Sequence, residues 1–439
     1  MQLFYNKYFI PMGTNKERIV VIGGGFAGLN LVKKLDKTRF DVTLVDRNNY
    51  HSFPPLFYQI ASSGLDPGSI SFPFRREMRK GSVKGAHYKM GEVKTIDVVA
   101  KTVTTQFETI SYDKLVIAAG TTNNFFGMSD LYKYVFTLKS TPEAIRCRNE
   151  ILDRLERASL CTDPEERRKL LSFVVIGGGP TGVEIAGAIG EMKRYILQRE
   201  YPDIQLDDLS ITLVEGTDRL LRTMSETASR EAYDYLGHLM VNVRLQKTMT
   251  SYVDNVVTFA DGETIYAEMV IWTAGVTGEP MQITGAEVNR GPGNRFIVDE
   301  YNRLQGVDDV FVLGDIALMM NDEYPKGHPQ LAQVAIQSAV NLASNLNHGD
   351  FSRKFKYNDK GSMATVGRNR AVVDLKHFHL YGRPAWLTWM FIHLISILGM
   401  RNKLSVLINW IWCYCTYSTS LRLLLHSNRY PLRSRWGER

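Results

Sequence analysis

The run Ile19-Val-Val-Ile-Gly23-Gly-Gly25-Phe-Ala-Gly28 returns 154 residues later as Phe173-Val-Val-Ile-Gly177-Gly-Gly179-Pro-Thr-Gly182. Each is an apolar strand that feeds a Gly-x-Gly-x-x-Gly turn and then a helix-like stretch. The first glycine permits the tight turn, the second lets backbone approach a pyrophosphate, and the third lets helix and strand pack closely. Phosphates then sit at a helix N-terminus, where unpaired N–H groups and the dipole favour negative charge. One such turn is weak evidence; two in one chain predict two dinucleotide sites. Candidate contacts are Gly23, Gly25, Phe26, Ala27 and Gly28 in the first copy, and Gly177, Gly179, Pro180, Thr181 and Gly182 in the second.

Both copies carry an acidic partner. Asp41-Val-Thr-Leu-Val-Asp46 and Ser210-Ile-Thr-Leu-Val-Glu215 read as second strands ending in a carboxylate. A carboxylate there accepts hydrogen bonds from ribose hydroxyls and repels the 2′-phosphate of NADP, so Glu215 predicts NADH over NADPH. Later strands of the two units end in Ala119-Gly120 and Ala274-Gly275, and a further short strand ends in Gly314-Asp315. Strands alternating with helical patterns predict an α/β protein with parallel, doubly wound sheets.

A chain of 439 residues with 44% apolar and 23% charged residues has room for two or three globular domains. The first 17 residues lack the long apolar core and cleavage site of a secretion signal. Cys147, Cys161, Cys413 and Cys415 form no Cys-x-x-Cys clip and no His cluster accompanies them, so no metal site is expected and the chain reads as intracellular and reduced. No cysteine pair succeeds the first turn, where a flavin disulfide reductase would carry its redox disulfide.

Charge is concentrated at the end. From Arg383 onward there are eight Lys or Arg against the single acid Glu438, which accounts for the whole formal charge of +7. Five of the six tryptophans also lie there: Trp386, Trp389, Trp410, Trp412 and Trp436. Basic flanks around apolar runs such as Trp389–Leu398 fit an anionic lipid surface better than nucleic acid. Pro384–Met400 is too short to span a bilayer comfortably, and Leu404–Leu421 is too rich in Ser, Thr and Tyr. A helical hairpin lying in one leaflet is expected, with Arg401 and Lys403 between its arms. The alternative is a buried homodimer interface made by the same tail.

Gln333 and Gln337 share a face of an apolar helix that Pro329 can start. Inward amides there need hydrogen-bond partners, and carbonyl oxygens of a bound ligand would suit their N–H groups.

Together these marks resemble the type II NADH:quinone oxidoreductases. They are the two turns, Asn49-Tyr-His-Ser-Phe-Pro-Pro-Leu-Phe-Tyr-Gln59, Trp272-Thr-Ala-Gly-Val276, Leu313-Gly-Asp315, Ala332-Gln-Val-Ala-Ile-Gln337, Met363–Arg368 and the aromatic tail. The resemblance implies two Rossmann-like domains in a glutathione-reductase-like arrangement plus a C-terminal helical membrane-associating region. The FAD domain would be split, with one segment at 1–140 and the other at 278–350. The NADH domain (141–277) would be inserted between them, and a membrane-anchoring region (351–439) would end the chain. It implies that FAD takes a hydride from NADH and passes two electrons to a membrane quinone without proton pumping. Asp46 would hold the FAD ribose and Asp315 its linker. Glu184 would lie near nicotinamide and flavin, Gln333 and Gln337 at the quinone, and Lys376 would act as proton donor or quinone contact. It also implies a monotopic protein on the cytoplasmic face of the inner membrane. The rival reading is an FAD- and NADH-binding redox sensor, or another pyridine-nucleotide flavin reductase, with slow quinone turnover.

Overall fold

The structure is a computed structural model, and it describes residues 16–416 and 421–424. In chain order it opens with β1 (Glu17–Ile22), α1 (Phe26–Lys34), β2 (Phe40–Asp46), β3 (His87–Met90) and β4 (Lys114–Ile117). A second set is formed by β5 (Phe136–Thr137), β6 (Ser172–Ile176), α2 (Pro180–Met192), β7 (Ser210–Val214), β8 (Asn242–Arg244) and β9 (Met269–Trp272). Then come β10 (Val310–Val312), α3 (Ala332–His348), β11 (Ser362–Thr365), β12 (Ala371–Asp374), β13 (His379–Tyr381), α4 (Gly382–Ser396) and α5 (Met400–Thr416).

The first sheet runs β10-β4-β1-β2-β3 and the second β5-β9-β6-β7-β8, every neighbour parallel. Each has its glycine-turn strand at the centre and its acidic strand beside it. The apolar runs that open both copies are continuous because a parallel sheet buries both faces. In β1, Ile19 and Val21 pack with α1 and α3 on one face, while Val20 and Ile22 pack with Ile96, Val103 and Phe296 on the other. Full burial of each such side chain contributes about 1.5–3 kcal/mol. The second sheet packs Val174, Ile176, Val214 and Trp272 against Val257 and Phe259 of a three-stranded meander, and against Leu131 and Val135.

The chain divides into two units. Of the described residues, the first takes those up to His51, Pro73–Thr121 and Thr277–Asn358; the second takes Ser52–Phe72, Thr122–Val276 and those from Asp359. β10 returns to the first sheet, and the units divide after Thr121, Val276 and Asn358. The first break comes at Thr121, because Phe125, Leu131 and Val135 pack on the second core with Trp272. Residues 351–358 stay with the first unit, where Phe351 stacks on Phe311 at 5.6 Å. The C-terminal region is no separate body. It joins the second unit, where Gly187 of α2 lies against Val366 and Gly367.

Nothing in the sequence pattern assigns residues 52–72 to the second unit, yet α5 holds them there. Asn409 Nδ2 of α5 donates to the Gly64 carbonyl (2.7 Å), Asn402 Nδ2 to that of Ser69 (3.0 Å) and Trp410 Nε1 to Gln59 Oε1 (2.9 Å).

Candidate active site

In the first unit, Gly23 turns the chain at φ +93°, and a Cβ on Gly28 would run into the Gly23 carbonyl oxygen. Space opens only at Gly25, where an added Cβ meets nothing within 4 Å, at the N-cap of α1. Asp46 closes the turn from the next strand. Its Oδ2 accepts the Gly24 N–H (2.6 Å) and its Oδ1 the Asn48 N–H (2.7 Å). Burial raises the Asp46 pKa, opposed by those two donors.

A second lock on this turn is His51, which sequence reasoning places in a motif without a role. His51 is buried, and its Nδ1 meets the Gly24 carbonyl at 2.7 Å, so Nδ1 carries the proton in the tautomer that donates. Desolvation pushes its pKa down to about 4 and keeps it neutral. Phe26 meets the imidazole edge-on at 5.7 Å, and the Phe74 ring occupies the place a Cβ on Gly24 would need. Gly314, before Asp315, touches Ala27 of α1 and Ala335 of α3, so Asp315 stands at the end of β10 beside both helices. Ala119 and Gly120 come just after β4, and Ala118 and Ala119 flank the Gly23 turn.

The second turn repeats the first. Gly177 has φ +112°, Gly182 packs on its carbonyl, and Gly179 is open at the N-cap of α2 with Pro180 at the first helical position. Glu215 Oε2 accepts the Gly178 N–H (2.6 Å) and Oε1 that of Thr217 (2.7 Å). Thr273 Oγ1 donates to the Ile176 (2.9 Å) and Gly177 (3.1 Å) carbonyls, which sets Ala274 and Gly275 beside the turn.

Glu184, on the first turns of α2, is 8% exposed. Burial pushes its pKa up to about 8, opposed by the Thr365 N–H and, more weakly, the Trp389 indole. The indole N–H is close enough to oppose the shift but makes no hydrogen bond of ordinary geometry. The carboxyl is therefore mostly protonated at pH 7. Beside it, Tyr58, Trp386, Trp389, Trp410 and Tyr414 line a largely apolar cavity.

Both glutamines lie on α3. The helix starts at Ala332, after Pro329 rather than on it, and both side chains are half-buried. Gln337 Nε2 donates to the Asn358 carbonyl (2.9 Å) while its Oε1 accepts the Asn358 N–H (3.0 Å), so this amide ties down the chain. Lys376 is exposed on the turn between β12 and β13.

The tail needs two corrections. Arg401 and Lys403 lie inside α5, not between the two helices. Trp389 and Trp410, at 2% and 8% exposure, face the protein and not an interface, because Tyr58, Gln59 and Glu184 take them. Trp412 is exposed, as are Leu387, Phe391 and Ile395 on α4 and Leu404, Ile408 and Ile411 on α5. The basic stretch after Leu424 and Trp436 lie outside the described residues. The four cysteines are free thiols, and no metal-ligand cluster occurs among the described residues.

Two nucleotide turns on two identically ordered parallel sheets define a two-dinucleotide α/β oxidoreductase. Accordingly, residues 17–339 match the family model described as pyridine nucleotide-disulphide oxidoreductase, and residues 360–415 that of the NDH2 C-terminal domain. The type II NADH:quinone oxidoreductase Ndh of Mycobacterium tuberculosis is 32% identical over 418 residues, covering 90% of this chain and 87% of the relative. NdhA of the same organism is 33% identical over 416 residues, covering 90% and 86%. The chain belongs to the type II NADH:quinone oxidoreductases. In fold it is similar to NDH2 from Plasmodium falciparum, solved in complex with NADH, with a TM-score of 0.86 at 22% identity over 94% of this chain and all of that one. The sulfide:quinone oxidoreductase of Aquifex aeolicus shares the fold less fully, with a TM-score of 0.69 at 18% identity over 88% and 92%.

Proposed function

We infer that this chain oxidises NADH through bound FAD and reduces a quinone, without pumping protons. The observation that carries this is the paired cradle: two open glycine turns, each locked by its own carboxylate, in one chain with the family's C-terminal region. The first cradle fits FAD, since Gly25 leaves room for a pyrophosphate and Asp46 stands where a ribose needs an acceptor. FAD, when bound, supplies acceptance of a hydride and release of two electrons.

The chain's own residues bind, orient and hold protons. Main-chain N–H groups around Gly25 and Phe26 would hold one pyrophosphate, and those around Gly179 and Thr181 the other. Asp315 would hold the flavin's linker. Glu215 takes the NADH ribose and opposes a 2′-phosphate. Glu184 holds a proton at neutral pH that it can yield to the reaction. Gln333 and Gln337 are the amides for the quinone carbonyls, and Gln337 also holds the segment at Asn358 in place. Lys376 stands as the weaker proton-donor candidate.

The quinone is collected from a lipid surface. Leu387, Phe391 and Ile395 repeat every fourth residue on α4, and Leu404, Ile408, Ile411 and Trp412 share a face of α5. No helix among the described residues is long and apolar enough to cross a membrane. We propose that the exposed apolar rows of α4 and α5 lie in one leaflet, as in a monotopic protein on the cytoplasmic face of the inner membrane. The same rows also suit a homodimer contact. The test is the visible spectrum of the purified protein, then NADH with a short-chain quinone. A flavin spectrum, bleaching by NADH and steady turnover are expected; bleaching without reoxidation by quinone would leave the redox-sensor reading.

A further inference from the structure

Phe126 combines two costs. Its backbone is left-handed, with φ +48°, a conformation that bulky residues rarely adopt, and its ring is 64% exposed. Backbone strain of this kind persists where surrounding contacts over-determine it, and it gathers at functional sites. Here three hydrogen bonds fix the segment within the second unit. Trp272 Nε1 donates to the Asn124 carbonyl (3.0 Å), Asn124 N–H to the Gly275 carbonyl (3.3 Å), and Phe126 N–H to Asn124 Oδ1 (2.9 Å). The tip of the ring reaches Gly275, where an added Cβ would come within 2.6 Å of Phe126 Cζ. The absence of a side chain at Gly275 thus makes room for a ring that meets the buried Trp272 at 6.3 Å and is otherwise largely exposed.

The place of that face is informative. Gly275 comes just after β9, whose Trp272 is in register with Ile176, the last residue before the second glycine turn. A dinucleotide lies across the C-terminal edge of such a sheet, its pyrophosphate at the central strand's turn. Glu215 fixes the adenosine ribose on the β7 side, so the other half of the molecule runs over the end of β9.

We propose that Phe126 is the aromatic platform on which the dihydronicotinamide half of NADH is positioned, stacking with the planar ring above Gly275. This rests on the reading of the second turn as the NADH site. Offset stacking of this kind contributes a factor of about five in binding.

The test uses the FAD-loaded full chain. Phe126→Asn removes the ring while keeping a residue that accepts the left-handed backbone, and Phe126→Tyr restores the ring. Dissociation constants for NAD+ and NADH, and the limiting rate of flavin reduction, are read by titration and stopped flow. Phe126→Asn should weaken both ligands about fivefold, with unchanged flavin content and spectrum, and Phe126→Tyr should stay within about twofold of the original. Phe126→Leu, which keeps the apolar bulk, should weaken binding by less than Phe126→Asn. Unaltered NADH binding in Phe126→Asn, or a loss of flavin that matches the loss of NADH binding, would overturn the proposal. Failure of NADH to reduce the flavin of the unaltered protein would instead remove the reading of the second turn.

Discussion

The two glycine turns are alike where sequence neighbours shape them and differ where the rest of the fold does. In both, a carboxylate at the end of the adjacent strand takes the N–H of the middle glycine at 2.6 Å. The carbonyl of that glycine is handled differently. Gly178 O accepts the main-chain N–H of Leu221 (2.9 Å), whereas Gly24 O accepts the side chain of buried His51 (2.7 Å). A main-chain lock needs no side-chain donor. A side-chain lock depends on one residue and titrates with it. The units also differ in their helices, since only the second includes α4 and α5.

The largest break in this comparison should come from ending the chain after Tyr381. The second unit would lose Trp389 and Trp410, and removing a buried tryptophan side chain costs about 3–5 kcal/mol each. NADH-driven ferricyanide reduction should vanish and residues 122–276 should become sensitive to protease. A truncated protein that still reduced ferricyanide would make the tail an appendage.

The next effect concerns the first turn alone. His51→Leu leaves a buried carbonyl without a donor, at a cost of about 1–3 kcal/mol, seen as a lower Tm and faster flavin loss on gel filtration. His51→Asn, which can donate from its amide, should recover some of it. The pH profile sharpens the point. His51 has a folded pKa depressed to about 4, so the unfolded chain takes up its proton first as pH falls below about 6.5. Its contribution to stability is therefore full above that value and is lost toward pH 4, by up to about 3 kcal/mol. The difference in stability between the original and His51→Leu should shrink over that window; a constant difference would show that the imidazole is not the titrating lock.

The smallest effect separates the two carboxylates. Glu215→Gln should raise NADPH use relative to NADH about tenfold, since about 1.4 kcal/mol of repulsion is removed. Asp46→Asn should leave that ratio unchanged. A ratio that did not move in Glu215→Gln would place the ribose elsewhere.

Much of this is legible in the sequence because it is local. Strand, turn and helix succeed one another within about ten residues in each copy; Asp46 ends the very next strand of its sheet, and Glu215 directly follows the corresponding strand. His51, Phe74 and Phe126 are not legible as site residues, since each acts on a glycine far from it in the chain. Gln333 and Gln337 illustrate the limit well. Helical spacing puts them on one face, yet only the returning chain at Asn358 decides that Gln337 is engaged by main chain. The tryptophans mislead for the same reason, because composition cannot tell an indole at a lipid interface from one packed on Tyr58.

By itself, then, the amino-acid sequence determined two parallel α/β units, their glycine turns, the carboxylate beside each and the apolar repeat of the final helices. These depend on backbone sterics and on side-chain periodicity, which neighbouring residues settle. Tertiary structure alone decided where the units divide, which donor closes each turn, the protonation of Glu184 and the burial of Trp389 and Trp410. Those depend on desolvation and on pairings between residues tens to hundreds of positions apart, and only the folded chain brings such groups within reach of one another.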